Sequence, residues 1–149
     1  MLTPEKIFNR ISKILNSQLF GVIATQGSKY PYTSLVGIAN TSNYSELIFA
    51  TPRNSRKYQN LSKSTHVSIL IDTRLNEISD LMEAEALTAL GSAIEVPEQQ
   101  WKDCANIFLS KHPNLKGFIE TPQCSLVKIT VDKYILVDHF QNVTEIDIK

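Results

Sequence analysis

From Pro4 to Asn16 the apolar residues Ile7, Phe8, Ile11, Ile14 and Leu15 fall three and four positions apart, the period that lines one face of a helix. Thr3 suits an N-cap and Pro4 the first helical position, so the pattern predicts a helix over about residues 4 to 16. The period then shortens. "FGVIAT", "YTSLVGIA" and "ELIFAT" are brief apolar runs separated by "QGSKYP" and "NTSNYS", whose Gly, Pro, Asn and Ser favour turns, and they predict three antiparallel strands in a meander. "HVSILID" reads as a fourth strand, and "EAEALTALGSAIEV" as a long one in which the interior Gly91 marks a bulge or sharp coil. Pro97 opens a helix with Trp101, Cys104, Ala105, Phe108 and Leu109 on one side, broken at Pro113. "CSLVKITV", "YILVDHF" and "NVTEIDI" return to strand. Six or seven strands with few helices predict a mainly β fold, a closed or partly closed antiparallel barrel.

Length and charge narrow this picture. A chain of 149 residues forms one typical domain and buries roughly 70% of its unfolded surface, so it needs no metal or disulfide staple. No repeat or long linker divides it. Fifteen basic residues balance fifteen acidic ones, which argues against a general attraction to nucleic acid or to anionic membrane and makes any anion site local. Cys104 and Cys124 have no closely spaced Cys or His beside them and read as buried thiols rather than metal ligands. "MLTPEKIFNRISK" carries charge where a signal peptide needs an apolar block, and no run approaches the ~20 residues that span a bilayer. A soluble, cytoplasmic protein is expected.

The local exception is "ELIFATPRNSRKYQNL". A strand ending near Thr51 is followed by Arg53, Asn54, Ser55, Arg56 and Lys57, with a helix predicted to start near Asn54 or Ser55. Cations in the first turn of a helix oppose its dipole, so stability alone favours Asp or Glu there; here no acid occurs between Glu46 and Asp72. Two readings remain open from the pattern: a solvated turn with surface cations, or a phosphate site built from free N–H groups and basic side chains.

At these residues the chain resembles the FMN-binding split-barrel family typified by pyridoxamine 5'-phosphate oxidase. In that family a strand ends in Thr, a short loop follows, and Ser-Arg-Lys opens a helix that runs to a Gln or Asn before an apolar residue. Here stand Thr51, then Ser55, Arg56 and Lys57, then Asn60 and Leu61. "KYPYTSLV", "THVSILID" and "LTALGSAIEV" extend the likeness over roughly Phe20 to Val96, and the tail follows it more loosely. The resemblance implies FMN as cofactor, its phosphate held by Thr51, Ser55, Arg56 and Lys57, with Arg53 near enough to join them. It implies that the strand of Ser34, Leu35 and Val36 passes its backbone along the flavin ring. It also implies a homodimer with FMN between the subunits and a flavin-dependent oxidoreductase acting on a small molecule. A flavin-binding protein without turnover, serving storage, electron relay or stress sensing, fits the same resemblance, as does a relative that takes haem or a deazaflavin.

The family's type enzyme grips its substrate with an arginine-rich C-terminal segment. This chain has four arginines, Arg10, Arg53, Arg56 and Arg74, and none later, which argues against pyridoxamine phosphate as the substrate. His139 is read on a strand, where it is structural, at the surface, or a haem ligand; His112 is read as a helix-boundary residue, and His66 has no recognisable catalytic partner. No catalytic acid, base or nucleophile is assigned. Trp101 is read as part of a packed helix face, with a flavin or substrate wall as its alternative.

Overall fold

The computed structural model describes residues 3–148, and over them the chain forms a curled antiparallel sheet of eight strands with helices at its mouth and on its back. Helix α1 (Pro4–Ser17) starts where its sequence signals lie: Thr3 Oγ1 accepts from the Lys6 backbone N–H at 3.3 Å, and Pro4 opens the first turn. Ile7, Ile11, Ile14 and Leu15 enter the main core beside Ile23, Phe49, Ile69, Leu87 and Val127.

Strands β1 (Phe20–Thr25) and β2 (Tyr32–Gly37) pair as a hairpin, Phe20 opposite Gly37 and Thr25 opposite Tyr32. The expected meander stops there. β3 (Ala39–Asn40) pairs with β4 (Glu46–Pro52), and β4 takes its other neighbour from far along the chain. After α2 (Arg56–Lys63) follow β5 (His66–Asp72), α3 (Asp80–Glu83), β6 (Ala86–Glu95) and α4 (Glu98–Lys111). A 3₁₀ turn (Pro113–Leu115) and α5 (Lys116–Ile119) lead to β7 (Cys124–Asp138) and β8 (Asn142–Asp147). The strand order is β2-β1-β5-β6-β7-β4-β3, with β8 paired to β7. β2 and β4 approach each other without pairing, so the curl stays split at that seam.

The physical reason β4 leaves the meander lies in its own residues. Leu47 and Phe49 enter the main core, while Ile48 and Ala50, on the other face, pack into a second cluster with Ala105 and Phe108 of α4 and Leu126 of β7. A strand apolar on both faces needs cover on both. β2 lacks such cover, and its outward Thr33 and Leu35 are exposed.

The tail also departs from the expected strands. "CSLVKITV" and "YILVDHF" join into the single 15-residue β7, which makes eight strands in all once the two-residue β3 is included. The ladder with β6 shifts between Leu90 and Gly91, leaving Asp132 without an opposite residue, which is the bulge that Gly91 signalled. A Cβ at Gly91 would sit 2.2 Å from the Thr130 carbonyl oxygen, so only glycine permits this approach. Among the described residues no helix is long and apolar enough to cross a membrane.

Candidate functional site

The basic cluster occupies the corner between β4 and α2. Thr51 ends the inward row of β4, fully buried, and its Oγ1 lies 2.7 Å from the Ser55 hydroxyl. Ser55 is the N-cap: its backbone is extended, its N–H donates to the Pro52 carbonyl at 3.1 Å, and its Oγ accepts from the Tyr58 N–H at 3.2 Å. Capping Tyr58 leaves the N–H groups of Arg56 and Lys57 without acceptors inside the helix, at the positive end of its dipole. No acid sits in that first turn.

The two cations behind these N–H groups differ in setting. Arg56 is exposed, and its guanidinium lies 5.0 Å from the ring centre of Tyr32 at the start of β2. Lys57 is half-buried, forms no ion pair or hydrogen bond among the described residues, and burial lowers its ammonium below the ordinary lysine range. An unpaired cation partly out of water gains most from an arriving anion.

The Arg56–Tyr32 contact brings β2 to the same corner. Tyr32, Ser34 and Val36 alternate onto one face; Val36 is buried in the core, and Ser34 Oγ is sealed from solvent with no hydrogen-bond partner among the described residues. Leu35 points to the opposite face and is 69% exposed. Two segments that the sequence assigned separately thus meet across the seam between β2 and β4. Tyr32 was not singled out in the sequence, although its position two residues before Ser34 places it on that face.

Asn60 anchors the helix from behind. It is buried, its Nδ2 donates to Thr25 Oγ1 at 3.0 Å, and a Cβ at Gly27 would come within 2.2 Å of its Oδ1. The β1–β2 loop therefore presses directly on α2. Arg53 is engaged within the chain: its guanidinium donates to the Pro122 carbonyl at 3.1 Å and the Tyr58 hydroxyl at 3.2 Å, and pairs with Glu95.

The surroundings of the histidines correct one reading and extend another. His139 is not on a strand; it lies in the turn between β7 and β8 at φ 42°, largely exposed. His112 is the C-cap residue of α4, the helix boundary expected of it, and the structure adds a buried setting. It is buried against Phe108 and Gly37, with Nε2 2.8 Å from the Ile38 carbonyl oxygen. Trp101 packs half-buried on the α4 cluster, and both cysteines are buried free thiols whose ionisation burial pushes up.

The sequence profile described as pyridoxamine 5'-phosphate oxidase matches residues 7–138. No curated protein matches the chain. Among solved structures, the heme binding protein from Mycobacterium smegmatis superposes with a TM-score of 0.80 at 18% identity, over 90% of this chain. This chain spans only 55% of that protein's length. General Stress Protein 26 from Bacillus anthracis gives 0.73 at 19% identity, covering 95% of this chain and 98% of its own. HutZ, the heme storage protein from Vibrio cholerae, gives 0.72 at 16% identity, covering 83% and 88%. At these identities the structural likeness establishes the split-barrel fold.

Proposed function

The chain belongs to the pyridoxamine 5'-phosphate oxidase family, and on that premise we propose that the β4–α2 corner holds the phosphate of FMN in a flavin-dependent oxidoreductase acting on a small molecule. The observation that carries this reading is Lys57 in the first turn of α2, half-buried and without an ion pair or hydrogen bond among the described residues, in a turn that has no acid. The donor set fits a phosphate: two free N–H groups, the Ser55 hydroxyl backed by that of buried Thr51, Lys57 and Arg56, with each charge-assisted hydrogen bond contributing about 1.5–3 kcal/mol. The unpartnered Ser34 hydroxyl is enclosed within the protein and adds nothing to this donor set; β2 is offered to the ring through its backbone.

When bound, FMN supplies hydride or electron transfer. The chain's part is to bind and orient. Ser55 fixes the helix start, Asn60 holds α2 against the β1–β2 loop, and the β2 backbone at Ser34, Leu35 and Val36 gives the ring an edge to lie along. A second copy of the chain would cover the exposed Phe20 and Leu35 on β1 and β2, exclude water from the ring and complete a homodimer. With no arginine after Arg74, a second phosphate-bearing substrate lacks bidentate partners, so pyridoxamine phosphate is not the proposed substrate.

Haem is the competing ligand, since two of the similar structures are named for it. In this chain His112 is engaged by the Ile38 carbonyl while His66 and His139 are exposed, so FMN is preferred on the acid-free, basic start of α2 rather than on the histidines. Extraction and mass spectrometry of the purified protein test the proposal: one FMN per chain is expected. Haem or a deazaflavin in its place, or a colourless protein that takes up no added FMN, would overturn it. Stopped-flow reduction by NADH or NADPH with reoxidation then separates an enzyme from a passive flavin carrier, which would not turn over.

A further inference from the structure

Resting on the reading of the β4–α2 corner as a phosphate cradle, we propose that Arg53 is not a phosphate ligand but the positioning residue that holds the cradle in shape. Its backbone N–H donates to the Gln123 carbonyl at 2.7 Å, and its Nε to the Pro122 carbonyl at 3.1 Å, which ties the end of β4 to the segment entering β7. Its Nη1 donates to the Tyr58 hydroxyl at 3.2 Å and pairs with Glu95 at the end of β6. The Tyr58 hydroxyl in turn donates to Glu95 Oε1 at 2.7 Å. Four elements meet in one planar guanidinium.

Tyr58 is what makes this arrangement matter to the site. It is the third residue of α2, and its N–H is the one that Ser55 caps. One end of Tyr58 is therefore fixed by the N-cap and the other by Arg53 and Glu95, so the first turn, with the free N–H groups of Arg56 and Lys57, cannot rock. The Nε and Nη1 edges of Arg53 are already occupied, whereas Lys57 has no partner among the described residues. Arg53 and Glu95 are respectively 43% and 38% exposed, so their pairing adds little to global stability, and variants at either position will fold.

The test measures FMN, riboflavin and inorganic phosphate binding by Arg53→Gln, Glu95→Gln and the double variant, with thermal unfolding of each. Riboflavin shares the ring and lacks the phosphate. Each single variant is expected to bind FMN about fivefold more weakly, the scale of one loosened cap. The double variant should be no weaker than either single one, and riboflavin affinity should not move. A ligand role for Arg53 would instead give a loss of about 30-fold in Arg53→Gln with Glu95→Gln unchanged or tighter, and that result overturns the proposal. Equal weakening of riboflavin would reduce Arg53 to a general structural role and overturn it as well, as would unchanged FMN affinity in both single variants. A wild-type chain that binds phosphate but no flavin overturns only the cofactor reading, and the same variants then decide Arg53 with phosphate as the probe. Binding of neither FMN nor phosphate overturns both.

Discussion

Arg10 and Lys57 sit in two regions that treat a cation in opposite ways. Arg10 on α1 is met by Glu85 and by Asp138 at the end of β7, and Asn142 donates to the same Asp138 carboxylate at 2.7 Å. Burial works to raise the Asp138 pKa, yet the hydrogen bonds from Arg10 and Asn142 outweigh it and hold the carboxyl below its usual range. Among the described residues no acid pairs with Lys57, and burial lowers the ammonium with nothing there to oppose it. One cluster is complete within the chain and stabilises the fold; the other is complete only with an anion.

The difference is most sharply broken by Arg10→Met. It leaves Asp138, 2% exposed, without its cation, and should cost about 3 kcal/mol of stability in urea unfolding while FMN affinity stays unchanged. Full retention of stability would show that the Arg10 cluster is not structural. Arg56→Ala with Lys57→Ala should do the reverse, weakening FMN by at least about 2 kcal/mol, or about 30-fold by calorimetry. Removing two cations from a helix start should leave apo stability unchanged or raise it by a few tenths of a kcal/mol. Unchanged FMN affinity would remove the phosphate assignment.

pH separates the clusters next. The folded-state pKa of Asp138 is lowered, so its contribution is full above the ordinary carboxylate range of about pH 4 and is lost as pH falls through the folded value. An acid-side loss of stability that Arg10→Met flattens is expected. The folded-state pKa of Lys57 is lowered too, but for a base this means that the charge is lost early as pH rises. FMN affinity should therefore fall on the alkaline side sooner than an ordinary lysine would allow, and Lys57→Met should abolish that slope. The smallest effect is expected at Ser34. Ser34→Ala removes a buried hydroxyl without a partner, so apo stability should hold or rise by about 1 kcal/mol while FMN affinity stays unchanged, as thermal unfolding and titration would register.

Much of the corner was legible because its signals are local. A capping side chain, a Pro before it and the absence of acids act within one turn, and of the two caps the pattern offered, Asn54 and Ser55, it is Ser55 that caps α2. The bulge at Gly91 was legible for the same reason. Less legible was anything that depends on distant residues. The pairing of β4 with β7 joins Thr51 to Ser125, and the ties of Arg53 run to Pro122 and Glu95. His112 reads as a helix end in sequence and is buried only because α4 lays it against Gly37 and Ile38.

The sequence by itself determined a mainly β chain, a capped helix at its start and a basic helix N-terminus without acids, because periodicity, capping and dipole chemistry act over a few residues. The tertiary structure decided which strands pair, which cations are answered and which are left bare. Those outcomes depend on the burial of both faces of β4 and on acids tens of residues away in sequence, Glu85 and Asp138 for Arg10 and Glu95 for Arg53. Among the described residues no strand or loop brings an acid to Lys57, and that setting turns a basic motif into a candidate anion site.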